Sequence, residues 1–307
     1  MTQTATTTPT VGAKLVAYLW SLPRWFGLPA VALMVTLGGL VASTHVYPLV
    51  LANIAGALLM AFAHTWNSFQ DWASGLDQGP PEERSRPKPY TSGQNLIARG
   101  IVSQNETLLV ALVYLALSAV VTGYLADATT PWVWLPWAIA VPCAPLYSFG
   151  KFWYGCEFFL TLGFGPAAAM LGAASAPGPE LWRAALASLP MGILFGYGAE
   201  IVDQYLDAAP NVPKGLRNIG AWTWRHQIPL WSPLAMVLGV VIFLHARFTD
   251  PGSNIFAFQT LAAIFLLPFI LFLSRSMQRG STKAIMAGLA LVFLYGLALV
   301  VLQGVYG

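Results

Sequence analysis

Charge is what this chain has least of. Aspartate, glutamate, lysine and arginine make up 9% of its 307 residues, against about 25% in soluble globular domains. A deficit of that size excludes an ordinary water-facing surface and points to lipid as the solvent. Cysteine is nearly absent: only Cys143 and Cys156 occur, both at or inside apolar stretches. They make neither a metal-ligating spacing nor a disulfide framework and read as small buried hydrophobes. Basic runs are missing as well. A net charge of +3 with no phosphate-tracking patch leaves no argument for nucleic acid. The N-terminal stretch MTQTATTTPTVGAK lacks the basic start, short apolar core and small-residue cleavage site of a signal peptide, so no cleaved leader is expected. The stretch is polar, and residues 1–20 are expected to form a disordered tail.

What the chain has in abundance is hydrophobic sequence, 57% of residues with a mean hydropathy of +0.63. A membrane-crossing helix needs about 20 mostly apolar residues. Nine segments qualify: about 27–43, 46–66, 106–126, 131–149, 156–176, 181–203, 228–246, 255–274 and 284–304. The expected fold is therefore an all-α, polytopic membrane protein with nine transmembrane helices, a single domain over 1–307. With loops alternating sides, 13 of the 15 lysines and arginines fall on one face; only Arg183 and Arg247 fall on the other. The positive-inside rule makes the richer face, with the N-terminus, cytoplasmic. The longest polar stretch, 67–100, lies on that side between spans two and three. A loop that long in a compact protein is usually functional or disordered, and its content argues for function.

Five of the 12 acidic residues fall in two short clusters. The first runs Asn67-Ser-Phe-Gln-Asp71-Trp-Ala-Ser-Gly75-Leu-Asp77. The second runs Glu200-Ile-Val-Asp203-Gln-Tyr-Leu-Asp207. Each follows an apolar run at the cytoplasmic end of a predicted helix. Spacings of three and four put Asn67 with Asp71, and Glu200 with Asp203 and Asp207, on shared helix faces. Stacked carboxylates repel, and an aspartate in the bilayer centre costs about 2.5–3.5 kcal/mol on insertion scales. Oxygen-only ligand sets suit Mg²⁺, which is usually held by one or two carboxylates plus substrate phosphates. Cations follow both clusters: Arg84, Arg86 and Lys88 after the first, Lys214 and Arg217 after the second. Together they describe a cage for a diphosphate and its metals, with solvated juxtamembrane charge as the plainer alternative.

At these residues the chain resembles the UbiA superfamily of intramembrane prenyltransferases, over nearly its whole length. The closest branch is similar to the 1,4-dihydroxy-2-naphthoate polyprenyltransferases of menaquinone synthesis. Asn67, Asp71, Gly75 and Asp77 reproduce that branch's first motif. Lys151-Phe-Trp-Tyr154-Gly-Cys-Glu157 and Phe164-Gly165-Pro166 resemble two further segments. The second motif departs from the pattern: Ala199-Glu200-Ile-Val202-Asp203 stands where the branch has an Asn pair and an Arg. The resemblance implies nine helices around a central cavity, Mg²⁺ as cofactor, a prenyl diphosphate and an aromatic or quinone-precursor acceptor. It implies metal binding by Asn67, Asp71, Asp77, Asp203 and Asp207, with Glu200 as an added ligand. Arg86, Lys88, Lys151 and Lys214 are the implied phosphate clamps. Tyr147, Tyr154, Tyr197 and Tyr205 lie closest in sequence to this site, and aromatic faces stabilise an allylic cation.

Glu157 enters an otherwise apolar span and is a functional candidate by default. It either handles the acceptor or pairs with Lys151. Arg24, just before span one, either touches the acceptor or anchors its helix. His64 reads as a packed polar residue near the end of span two. Beyond prenyl transfer, two readings stay open: a membrane terpene cyclase that quenches the cation internally, and a transporter for a phosphorylated lipid or a metal. Both clusters lie on one membrane face, whereas transporter sites usually sit at the midplane on broken helices.

Overall fold

The computed structural model describes residues 9–84, 95–248 and 273–306. Arg86, Lys88 and most of the expected eighth span lie outside the described residues. The helices are α1 (Val11–Val16), α2 (Leu28–Val41), α3 (Val46–Ala73), α4 (Gln104–Ala128) and α5 (Trp134–Gly150). They continue with α6 (Cys156–Ala174), α7 (Leu181–Leu206), the short α8 (Ile219–Arg225), α9 (Trp231–Phe248) and α10 (Thr282–Tyr306). Among the described residues, seven helical segments are long and apolar enough to cross a membrane. They coincide with expected spans one to six and nine. The expected seventh span is α9, whose apolar stretch, Trp231–Leu244, is shorter.

The helices are built inside-out relative to water-soluble ones. On α4, Thr107, Ala111, Tyr114, Ser118 and Thr122 face inward, while Leu109, Leu112, Val113, Leu117 and Val120 are exposed. Lipid tails are as apolar as leucine, so packing selects small and polar residues for the interior and leaves leucine and valine outside. The main core joins α2, α3, α6, α7 and α10 through Met34, Leu59, Leu171, Met191 and Leu299.

At one crossing the backbones nearly touch. A Cβ on Gly38 of α2 would fall on the Ala169 carbonyl, and one on Gly172 of α6 on the Val35 carbonyl. No rotamer change relieves a clash with backbone. Gly172→Val is expected to destabilise the protein by at least about 3 kcal/mol. Gly178→Ala, where the added carbon would meet nothing within 4 Å, should melt like the parent in a thermal scan in detergent.

One expectation needs correction. Residues 11–20 are helical rather than a disordered tail. Thr10 caps α1 by accepting from the Ala13 N–H. Lys14 Nζ then pairs with Glu106 Oε1 at 2.5 Å, and the Tyr18 hydroxyl donates to the same oxygen at 3.0 Å. Glu106 is itself locked in the capping box of α4 with Ser103. These partners lie about 90 residues away in sequence, where a local polarity reading does not look.

Two wide, π-type turns interrupt α6 and α7, at Gly163–Ala167 and Leu194–Ala199. The first contains Pro166, which has no N–H to donate. One extra residue in a turn rotates everything downstream by about 100° around the axis. In α7 the residues so redirected begin with Glu200.

Candidate functional site

A cavity of about 290 Å³ opens between the helices. Asn67 of the first acidic cluster lines it, as do Glu200 and Asp203 of the second. Its walls are apolar and aromatic, with Phe26, Phe159, Phe164 and Phe195 among them. Phe164 and Phe195 stack at 5.8 Å between ring centroids. Both π-type turns contribute, through Gly163, Phe164, Leu194 and Phe195.

Helix α5 connects the two clusters, and Lys151, at its end, reaches the first. Its ammonium donates to Asn67 Oδ1 at 2.7 Å and to Asp71 Oδ1 at 2.7 Å. Asn67 Nδ2 donates to Asp71 Oδ2 at 3.0 Å, and Ser148 donates to Asn67 Oδ1 at 3.3 Å. One turn back on α5, the Tyr147 hydroxyl donates to Glu200 Oε1 at 2.7 Å. That oxygen also accepts from Gln204 Nε2 at 2.6 Å, and Gln204 Oε1 accepts from Asn218. A single helix thus reaches the first cluster with Lys151 and the second with Tyr147. Lys151 is only 4% exposed. Burial opposes its charge, but Asp71, by charge and by hydrogen bond, more than offsets this and holds the ammonium above the usual lysine value.

The loops beyond the clusters are latched together. Lys214 donates to the carbonyls of Leu76, Gln78 and Glu83 at 2.7–2.8 Å. Burial lowers the pKa of this group. It staples the loop after the first cluster and does not line the cavity. The Arg217 N–H donates to the Lys151 carbonyl and the Tyr154 N–H to the Arg217 carbonyl. Glu157 does not pair with Lys151, whose ammonium goes to Asn67 and Asp71, and it does not line the cavity. Fully buried, it accepts from the Ile219 N–H at 2.7 Å and from Cys156 Sγ at 3.2 Å. It satisfies a donor at the start of α8, as the first turn of any helix requires, and so holds that helix against α6.

Asp77 and Asp207 are both buried. Asp77 sits in the loop after α3, its N–H bonded to the Asp71 carbonyl at 3.1 Å. Burial, and then the Asp71 charge, push its carboxyl up to about 6, against the pull of Arg24, Lys151 and Lys214. The folded chain therefore keeps a proton that the unfolded chain releases from about 3.8 upward. Stability in chelator is expected to fall by about 2–3 kcal/mol as pH rises from about 4 to about 6. Asp77→Asn should flatten that slope in pH-resolved melting curves.

Sequence reasoning missed Gln204 and Ser148, although Gln204 follows Glu200 at the helical spacing of four. It also undervalued Arg24 and His64, both of which line the cavity. Among the described residues no three His, Cys, Asp or Glu side chains converge into a ready metal cage. What the clusters offer is oxygen donors from Asn67, Glu200 and Asp203 lining one cavity, with a buried ammonium bonded between Asn67 and Asp71.

No protein-family model and no curated protein sequence matches the chain. Solved structures do. A UbiA homolog from Archaeoglobus fulgidus bound to GPP and Mg²⁺ superposes with a TM-score of 0.60 at 18% identity, over 93% of this chain and 99% of that one. A digeranylgeranylglyceryl phosphate synthase gives 0.61 at 15% identity, over 95% and 99%. A UbiA homolog from Aeropyrum pernix K1 gives 0.63 at 15% identity, over 89% and 97%. Along nearly its whole length, this chain has the fold of the UbiA homologs.

Proposed function

We propose that the protein is a membrane prenyltransferase that ionises a prenyl diphosphate at the mouth of the 290 Å³ cavity and transfers the prenyl group to an aromatic acceptor. The observation that carries this reading is the meeting of Asn67, Glu200 and Asp203, from two separate acidic clusters, at one largely apolar cavity. The head of the substrate belongs at those oxygens and its hydrocarbon tail along the apolar wall. The Archaeoglobus homolog, which shares the fold, is bound to GPP and Mg²⁺, and this supports a prenyl diphosphate and its metal as the occupants.

The donor set fits Mg²⁺. Asn67, Asp71, Asp77, Glu200, Asp203 and Asp207 all offer oxygen, the ligand this ion prefers. The Lys151 ammonium already lies 2.7 Å from Asn67 and Asp71, so these donors are arranged around positive charge. Among the described residues the carboxylates do not form a complete cage, so diphosphate oxygens would supply the remaining ligands, as is usual for this ion. When bound, Mg²⁺ stabilises the negative charge that builds on the diphosphate as the C–O bond breaks. Lys151 holds Asn67 and Asp71 in register and offers its ammonium to the diphosphate. Tyr147 fixes Glu200, and Phe159, Phe164 and Phe195 exclude water from the allylic cation and face it with aromatic surface. Asn67, Asp71, Gly75 and Asp77, with their likeness to the naphthoate branch, favour a fused aromatic acceptor of the menaquinone-precursor type. The charge bias of the loops favours a cytoplasmic site.

The test is purified protein with Mg²⁺ and prenyl diphosphates of several lengths, with and without quinone-precursor aromatics. The expected outcome is prenylated aromatic formed only with acceptor. Hydrocarbon released without acceptor would assign the chain to the cyclases instead, and flux without diphosphate release to transport.

A further inference from the structure

We propose that Arg24 and His64 form a second polar station in the cavity, which binds an acidic oxygen of the aromatic acceptor separately from the diphosphate head. The occupant is taken from the proposed function; the station itself rests on geometry. Asp71, Asn67, His64 and Met60 follow one another along one face of α3. His64 therefore lies about one turn, some 5 Å, deeper than Asn67. A prenyl group whose diphosphate rests at Asn67 passes this level at its first carbons, where an acceptor has to meet it.

Both residues carry hydrogen-bonding capacity that the protein leaves unused. Arg24 Nη2 donates to Ser68 Oγ at 3.0 Å, and its buried Nε has no partner. No carboxylate lies within ion-pair distance of it among the described residues. His64 Nε2 is also buried without a partner. It abuts Gly27, where an added Cβ would come within 3.0 Å of it. A half-turn of the ring about χ2, a torsion with broad two-fold freedom, carries this nitrogen to the opposite edge. The two residues are joined through Ser68, whose hydroxyl accepts from Arg24 and donates to the His64 carbonyl at 3.2 Å. Leaving such groups buried and unsatisfied is costly, so a site that keeps them is built for something that satisfies them.

The backbone supports the same conclusion. Arg24 holds φ at 51°, in the left-handed region. A non-glycine residue stays there only when its surroundings over-determine it, a feature that clusters at ligand clamps. The surroundings suit a flat ring. His64 lies 5.4 Å from Phe26 and 6.2 Å from Phe164, centroid to centroid, and all three line the cavity. A guanidinium fork recognises carboxylate or phenolate oxygens, an imidazole edge a hydroxyl, and the phenylalanines a planar face.

The experiment is a fluorescence titration of the full chain in detergent with 1-hydroxy-2-naphthoate, with 2-methylnaphthalene as a comparator lacking both oxygens. Geranyl diphosphate binding with Mg²⁺ is measured in parallel. Arg24→Met is expected to weaken hydroxynaphthoate by about tenfold or more, as loss of a charge-assisted hydrogen bond does. Arg24→Lys should keep part of the affinity. His64→Leu should weaken hydroxynaphthoate severalfold, and 2-methylnaphthalene and geranyl diphosphate should bind all variants as they bind the parent. Parental hydroxynaphthoate affinity in folded Arg24→Met or Arg24→Lys protein overturns the inference. So does a loss confined to geranyl diphosphate, or an equal loss of 2-methylnaphthalene. If the parent binds no geranyl diphosphate while hydroxynaphthoate still depends on Arg24, the prenyltransferase reading fails and the polar station stands.

Discussion

Asp203→Ala is expected to lower kcat/KM for a prenyl diphosphate by at least about 100-fold while leaving the protein folded, since a metal ion's charge stabilisation is worth several kcal/mol. Asp203 lines the cavity beside Glu200. On the proposed function, removing its carboxylate takes an oxygen donor from the place where the developing diphosphate charge would be met. Asp71 requires a different substitution. Its carboxylate holds the Lys151 ammonium at 2.7 Å, so alanine would strip a buried cation of its partner and mix folding with chemistry. Asp71→Asn keeps the shape and one oxygen, and should lose turnover to a similar degree with a smaller change in stability. Diphosphate release from purified protein in Mg²⁺ is the readout. Turnover within about threefold of the parent in either variant would show that the two clusters do not share one head group, because such a change is under 1 kcal/mol of transition-state stabilisation.

Lys151→Met is expected to destabilise the protein by about 3–5 kcal/mol, the usual consequence of removing one member of a buried ion pair. The side chains of Lys151 and Asp71 are 5% and 13% exposed, so water compensates little. The loss also frees Asn67 Oδ1 from its shortest contact. The decisive comparison is the double variant Lys151→Met/Asp71→Leu. Replacing both charges with apolar groups of similar volume is often neutral. The double variant should therefore melt above Lys151→Met alone, with a coupling energy well beyond about 0.5 kcal/mol. Additive losses would mean that the pair is screened and does not set the geometry of the first cluster. On the proposed function the double variant should still be inactive, since it has lost one carboxylate of the donor set and the ammonium offered to the diphosphate.

The acidic clusters were legible in the sequence because helical spacing is a local property. Asn67 and Asp71 share a face wherever that helix is placed, and the same holds for Glu200 and Asp203. Lys151 was legible too, as a cation at the end of an apolar run. Its partner was not: the sequence offered Glu157, six residues on, and the fold supplied Asp71, 80 residues back. Glu157 went instead to the Ile219 N–H, a bond that exists only because α8 packs against the start of α6. Lys214, expected as a phosphate clamp, is bonded across three loop carbonyls. Charge and spacing mark a residue as functional or structural in kind. Which of the two it becomes depends on the groups that other segments bring to it.

The sequence by itself determined the solvent and the class of fold. A chain with this little charge and this many long apolar runs must satisfy its backbone within helices, because the bilayer interior offers no water to do so. It also determined that acidic side chains gather at helix ends, since carboxylates are costly in the bilayer centre. Only the tertiary structure decided that the two clusters face one cavity. That meeting depends on the wide turn in α7, which redirects Glu200 and the residues after it, and on the packing of α5, which reaches the first cluster through Lys151 and the second through Tyr147. Both set the rotation of one helix against another, a relation between distant segments that no local pattern of residues encodes.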